Sequence, residues 1–188
     1  SLPSATSAVL TSLLIKRVII MGGTSAVSQD VEDAIIALGI ITTRVSGADR
    51  GATAAAMADL LVAPATSGGF AMYASNTTTA NCLGTASATN MVLVVNGNDY
   101  PDAMVSAPLA ASCKAPILIA GSASTATFVT ANASKVGLVR AIGGTSAVSA
   151  EDLTAATTAA TLATPTATVT AEIGSGVITV QFSQKMSA

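Results

Sequence analysis

Apolar and polar positions keep one rhythm for most of this chain and change to another near its end. Residues 4–15 place Val9, Leu10, Leu13 and Leu14 on one helical face. The run from Lys16 to Met21 is apolar after Arg17, as a strand buried in a parallel sheet would be. Helical spacing returns over about 28–38, with Val31, Ala34, Ile35 and Leu38 inward and Gly39 closing the helix. A strand over 41–46 carries Arg44. A turn at 46–51 then leads into an alanine-rich helix that runs to about Val62 and is ended by Pro64. Met91 to Val95 reads as a buried strand. Residues 101–112 read as a helix with Pro101 at its first position and a kink or restart at Pro108. Pro116 to Ala120 is a strand, 124–136 a helix, 138–142 a strand and 149–161 a helix. Strand and helix thus alternate through residue 161, which predicts an α/β fold: right-handed βαβ units building a parallel sheet flanked by helices.

Two stretches break this rhythm. Residues 64–90 are rich in Ser, Thr, Asn and Gly around one apolar island, Phe70-Ala71-Met72-Tyr73, and read as a long surface excursion. Beyond Ala163-Thr164-Pro165-Thr166 the period becomes two, with Val169, Ala171 and Ile173 followed by Ile178, Val180 and Phe182. Gly174-Ser175-Gly176 between them reads as a hairpin turn. A lone hairpin is marginal in water, so this C-terminal β-hairpin is expected to begin a separate β-domain or to dock on another surface.

One heptapeptide occurs twice. Gly-Gly-Thr-Ser-Ala-Val-Ser fills residues 22–28 and returns letter for letter at 143–149, each time between an apolar run and a helical pattern. Glycine permits the sharp turn. Ser28 and Ser149 stand at N-cap positions, with Asp30, Glu151 and Asp152 where negative charge suits a helix dipole. The unit reads either as an anion cradle at a helix N-terminus or as a tight βα turn. Without G-x-G-x-x-G spacing or Gly-Lys-Ser/Thr, and with acids in the first turn, the tight turn is the better reading.

Composition narrows the function. The chain has 188 residues, enough for one good core and part of another. Charged residues make up 10% and aromatics 3%, leaving a surface of small side chains that suits a molecule packed among neighbours. The net charge of −2, with no basic stripe or stacking platform, speaks against nucleic acid. No apolar run reaches the ~20 residues of a membrane helix, so membrane insertion is not expected. No signal peptide is seen, and the chain opens mid-pattern, as a processed or excised piece would. Lack of histidine excludes Ser-His and Cys-His catalysis and a histidine metal site. No cofactor is expected. Cys82 and Cys113 are too few for a disulfide framework; they form one bridge in an oxidising setting or remain two small buried thiols.

Asp99 and Asp102 are close carboxylates after a strand, where open α/β sheets place ligands. They read as an acid–base pair or, preferably, as a turn and helix cap. Arg44, Asp49 and Arg50 suggest bidentate grip on a phosphate or carboxylate. The preferred alternative is structural, with Arg50 paired to Asp102 or Asp99.

Four ordered stretches carry a resemblance. They are Arg44-Val45-Ser46-Gly47-Ala48-Asp49-Arg50 with Thr53-Ala54; the run from Val94-Val95-Asn96-Gly97-Asn98-Asp99-Tyr100-Pro101-Asp102 to Ala111; Ala115-Pro116-Ile117-Leu118-Ile119; and the two glycine turns. Together they resemble the cell wall binding repeat 2 family of Gram-positive surface proteins. On that resemblance, residues 1–162 are one α/β region: 1–43 the closing half of one repeat, and 44–162 a full repeat with an insertion at 64–90. Residues 163–167 are a linker, and 168–188 are similar to the opening of a bacterial Ig-like domain. The resemblance implies a Rossmann-like, non-enzymatic module of an S-layer or surface protein, outside the cell. It implies anchoring to an anionic wall polysaccharide, with Arg44, Asp49, Arg50, Thr53, Asp99 and Asp102 as the contact residues. Further repeats or other copies, in a homo-oligomer, are the implied protein partners. The alternative is a self-assembly element of a lattice or fibre with no glycan contact. A nucleotide-binding enzyme rests on the glycine turns alone.

Overall fold

A computed structural model describes residues 1–72, 90–133, 135–161, 167–171 and 178–182. Its elements in chain order are α1 (Ser4–Ser12), β1 (Arg17–Met21), α2 (Gln29–Ala37), β2 (Ile41–Val45), α3 (Arg50–Val62), β3 (Asn90–Val95), α4 (Pro101–Cys113), β4 (Ile117–Ile119), α5 (Ala123–Ala131), β5 (Val136–Ala141), α6 (Ala150–Thr161), β6 (Ala167–Ala171) and β7 (Ile178–Phe182). A single 3-10 turn, Ala65–Ser67, follows α3. The architecture is α/β, as the alternation predicts.

The parallel strands fall into two small sheets instead of one. β1 pairs with β2, while β3 lies between β4 and β5. With a neighbour on each side, β3 has no ladder edge left for the first pair. β6 and β7 pair antiparallel, Val169 opposite Val180. The residues joining them, most of the 64–90 excursion, Cys82, and all but residue 167 of the linker lie outside the described residues.

β3 is the centre of the molecule because its alternating side chains serve two faces. Val92 joins Leu118 of β4 and Val136 of β5 against Ala55 and Ala58 of α3, Phe128 and Val129 of α5 and Ala159 of α6. Met91 and Leu93 point the other way, to Ala110 and Cys113 of α4 and to Ala115. Leu93 and Leu118 are fully buried, each worth about 1.5–3 kcal/mol of transfer free energy. Alanines on α3, α4 and α6 let these helices lie close to the strands.

The first unit is less well covered. Ile20, Ile35 and Ile40 form its core, with Leu10, Val18, Val27 and Val31 around them. The expected face of α1 is mostly outside: Val9, Leu13 and Leu14 are exposed and only Leu10 packs. Leu38 of the second expected face is exposed as well. Two strands offer too little surface to cover both helices. α1 also stops at Ser12, and Leu14 turns left-handed at φ +54°. β1 is accordingly not a fully buried strand; only Ile20 is buried there. α4 runs without a break through Pro108. Pro108 and Met104 are on the exposed side, so the carbonyl freed by the proline can meet water. α5 ends at Ala131, five residues before the expected limit, where the Asn132 side chain donates to Phe128 O at 3.0 Å.

Candidate functional site

The carboxyl ends of β3 and β4 open into a cavity of about 640 Å³. Crossovers leave a crevice where parallel strands end and helices begin. The walls come from the start of α3, the loops after β3 and β4, and the second glycine turn with the first turn of α6. Close approach explains two of its glycines. A Cβ on Gly51 would run into Ser122, and one on Gly97 into Ile119. A larger residue would push α3 away from Ser122 at position 51, and the loop after β3 away from β4 at position 97.

Asp49 lines the cavity as the N-cap of α3, its Oδ1 accepting from Ala52 N at 2.7 Å. Arg50 reaches over to the loop after β3, where Nη1 donates to Gly97 O at 3.1 Å. That loop is tightened by Asn98 N donating to Asn96 Oδ1 at 2.9 Å. On the far side Asp152 N donates to Ser149 Oγ at 3.0 Å, and this hydroxyl donates to Asp152 Oδ2 at 2.7 Å. The described lining thus offers carboxylates, amides, a hydroxyl and one guanidinium.

The remaining candidates lie elsewhere. Arg44 is in the first unit, a strut and not a ligand hand. Its Nε donates to Glu32 Oε2 at 2.9 Å, and Nη1 donates to Gly22 O at 2.8 Å and Val27 O at 2.9 Å. Nη2 lies 2.8 Å from Glu32 Oε2 but outside hydrogen-bond geometry, so that contact is Coulombic alone. Thr53 Oγ1 accepts from Gly47 N at 3.0 Å, holding the turn before α3. Asp99 is exposed, and its Oδ1 accepts from Tyr100 N at 3.0 Å. Asp102 faces Gly143 across the second glycine turn. Neither carboxylate pairs with Arg50, which uses the Gly97 carbonyl instead, so the expected Arg50–Asp tie is replaced by a side-chain-to-backbone one. Asp99 and Asp102 therefore serve separate local contacts.

Of the six candidates, Asp49 and Arg50 line the cavity. Asn96, Asn98, Ser122 and Asp152 were not singled out as ligands. The first two sit inside the quoted Asn96-Gly97-Asn98-Asp99 stretch; Ser122 follows β4 in a loop with no motif of its own. Asp59 on α3 has its carboxyl raised above the usual range by burial, and it is not among the lining residues. No three His, Cys, Asp or Glu side chains among the described residues stand close enough to hold a metal ion. A second, apolar cavity of about 440 Å³ lies between Met21, α3, α4 and β4.

This arrangement belongs to a class of surface-protein modules that bind the cell wall: the model of the cell wall binding domain 2 family matches residues 44–152, and the chain belongs to that family. Among solved structures the chain is similar to Cwp8 from Clostridium difficile, at 26% identity and a TM-score of 0.58. The match covers 85% of this chain and 23% of that one, so the chain spans about a quarter of that protein's length. No curated protein matches it in sequence. No helix among the described residues is long and apolar enough to cross a membrane.

Proposed function

We propose that this chain is a non-enzymatic, extracellular module that holds a surface protein to wall polysaccharide through the cavity at the ends of β3 and β4. The observation that carries this reading is that Asp49 and Arg50, within the stretch matched by the family model, form one wall of that cavity. The resemblance makes the polymer anionic and the domain Rossmann-like, and it takes β6 and β7 as the start of an Ig-like domain. The parallel sheet with helices packed on both faces supports the second of these. The Cys82–Cys113 bridge belongs to the same reading, since an extracellular setting is oxidising; Cys113 is buried, and no cysteine among the described residues is free. Sedimentation with purified walls, before and after removal of their polysaccharide, tests the proposal. Loss of co-sedimentation on removal is expected, and background sedimentation in both cases would end it.

Assembly with further repeats or copies is a second reading. It is favoured by exposed Tyr100, Met104 and Val105 at the start of α4 and by exposed Val9, Leu13 and Leu14 in the first unit. Light scattering distinguishes it: a chain that stays monomeric at high concentration rules out self-assembly and leaves wall binding untouched.

A further inference from the structure

We infer that the cavity at the ends of β3 and β4 holds an uncharged, hydroxyl-rich sugar unit of the wall polymer and not its phosphate or carboxylate groups; this rests on the anchoring reading above. Among the described residues its lining carries one cation, Arg50, against two carboxylates, Asp49 and Asp152. The Arg50 guanidinium already donates to Gly97 O. Arg44, the other cation of the motif, is spent on Glu32 and the first glycine turn. An entering anion would therefore meet a wall of its own sign.

A sugar hydroxyl meets no such opposition, because it donates to a carboxylate and accepts from an amide at once. The cavity offers groups of both kinds. The Asn98 and Ser122 side chains make no hydrogen bond among the described residues, and Asn96 uses its Oδ1 but not its Nδ2. Asp49 and Asp152 each use one oxygen in capping, which leaves the other for a donor. Ile119 and Ala147 give the C–H edges of a ring something apolar to rest on. A volume of about 640 Å³ suits a ligand of small-molecule size. No aromatic ring stands among the described lining residues. Affinity for a single unit is therefore expected to be low, about millimolar, with repetition along the polymer supplying avidity.

The test is an amide chemical-shift titration of the full chain with two neutral disaccharides, maltose and diacetylchitobiose, and with two anions, glucose 6-phosphate and inorganic phosphate. Wall sedimentation runs in parallel at low salt and at ~1 M, where the Debye length falls to about 3 Å. At least one neutral sugar is expected to shift the amides of 96–98 and 121–123, and the anions to leave them in place. Asn98→Ala and Ser122→Ala should each weaken that response about threefold or more, the worth of one lost hydrogen bond, with unchanged melting. Wall binding should change less than about twofold with salt. Anions that shift these amides more than the neutral sugars do, or wall binding that falls about tenfold with salt, would overturn the inference. Wall binding with no response to either neutral sugar overturns the cavity inference and spares anchoring. A response to neutral sugar with no wall sedimentation overturns anchoring, and with it the wall polymer as the source of the sugar, and leaves the cavity a neutral-sugar site.

Discussion

Gly143 and Gly144 are neighbours with opposite demands. Gly143 sits at φ +111°, and a Cβ there would strike the Asp102 carboxylate and lie 3.0 Å from the Ala147 Cβ. Gly144 has open space and an ordinary φ. Gly143→Ala is therefore expected to cost about 1–3 kcal/mol, and Gly144→Ala no more than about 0.5 kcal/mol; urea unfolding of the two variants measures both. Arg44 carries more. Its side chain is 16% exposed and that of Glu32 13%. Arg44→Ala leaves Glu32 without its counter-charge and strips donors from Gly22 O and Val27 O. A loss of about 3 kcal/mol is expected, the low end for breaking a buried pair. Arg44→Lys should recover only part of it, because an ammonium cannot serve three acceptors from one planar fork. Equal stability of the Ala variant and the parent would show that the strut holds nothing.

At the scale of the element, the repeated heptapeptide shows that identical letters need not make identical caps. Ser149 caps α6 and is answered by Asp152, three residues on, in a local variant of the capping box. Ser28 makes no side-chain cap bond to α2. The residue three on from it is Val31, which cannot answer a hydroxyl and packs against the Ile20–Ile35–Ile40 core instead. Ser149→Ala should then cost about 1 kcal/mol and Ser28→Ala a few tenths at most, as read from thermal unfolding. The same contrast says what could be read from letters. β3 declared itself by five consecutive apolar residues, and α3 by its alanine-rich run with Pro64 after it, because burial and helix propensity are local signals, whereas the Asp49 cap of α3 came from the structure. Exposure of Leu13 and Leu14 was not legible: a helical stripe shows that a face is apolar but not that a sheet exists to cover it. Nor was the cavity, since Asn98 and Ser122 come from two separate loops and Asp152 from the first turn of α6, and they meet only through the parallel register of β3 with β4 and the packing of α5 on α6. Asp49 and Arg50 were visible because they share one short motif.

At the scale of the whole molecule, stability is unevenly spread, and the cavity stands on the firm side. Met91 through Val95 are 0–3% exposed and flanked by ladders on both edges. Among the described residues β1 and β2 pair only with each other, and the residues of β1 other than Ile20 are half-buried or exposed. A two-stranded pair is marginal by itself, so the first unit is held mainly by its isoleucine cluster and by Arg44. Hydrogen exchange should resolve the difference. Amides of β3 are expected to open only with global unfolding, and those of β1 and β2 through a partial opening at least about 100-fold more populated. The loops at 96–98 and 120–122 leave from β3 and β4, so their geometry is set before a ligand arrives and little ordering entropy is lost on binding. Arg44→Ala should widen the gap by loosening the first unit alone, leaving the protection of β3 and the sugar response of the cavity unchanged. Equal loss of protection in both sheets would mean that the two units unfold as one, and that the cavity depends on the strut as much as the first unit does.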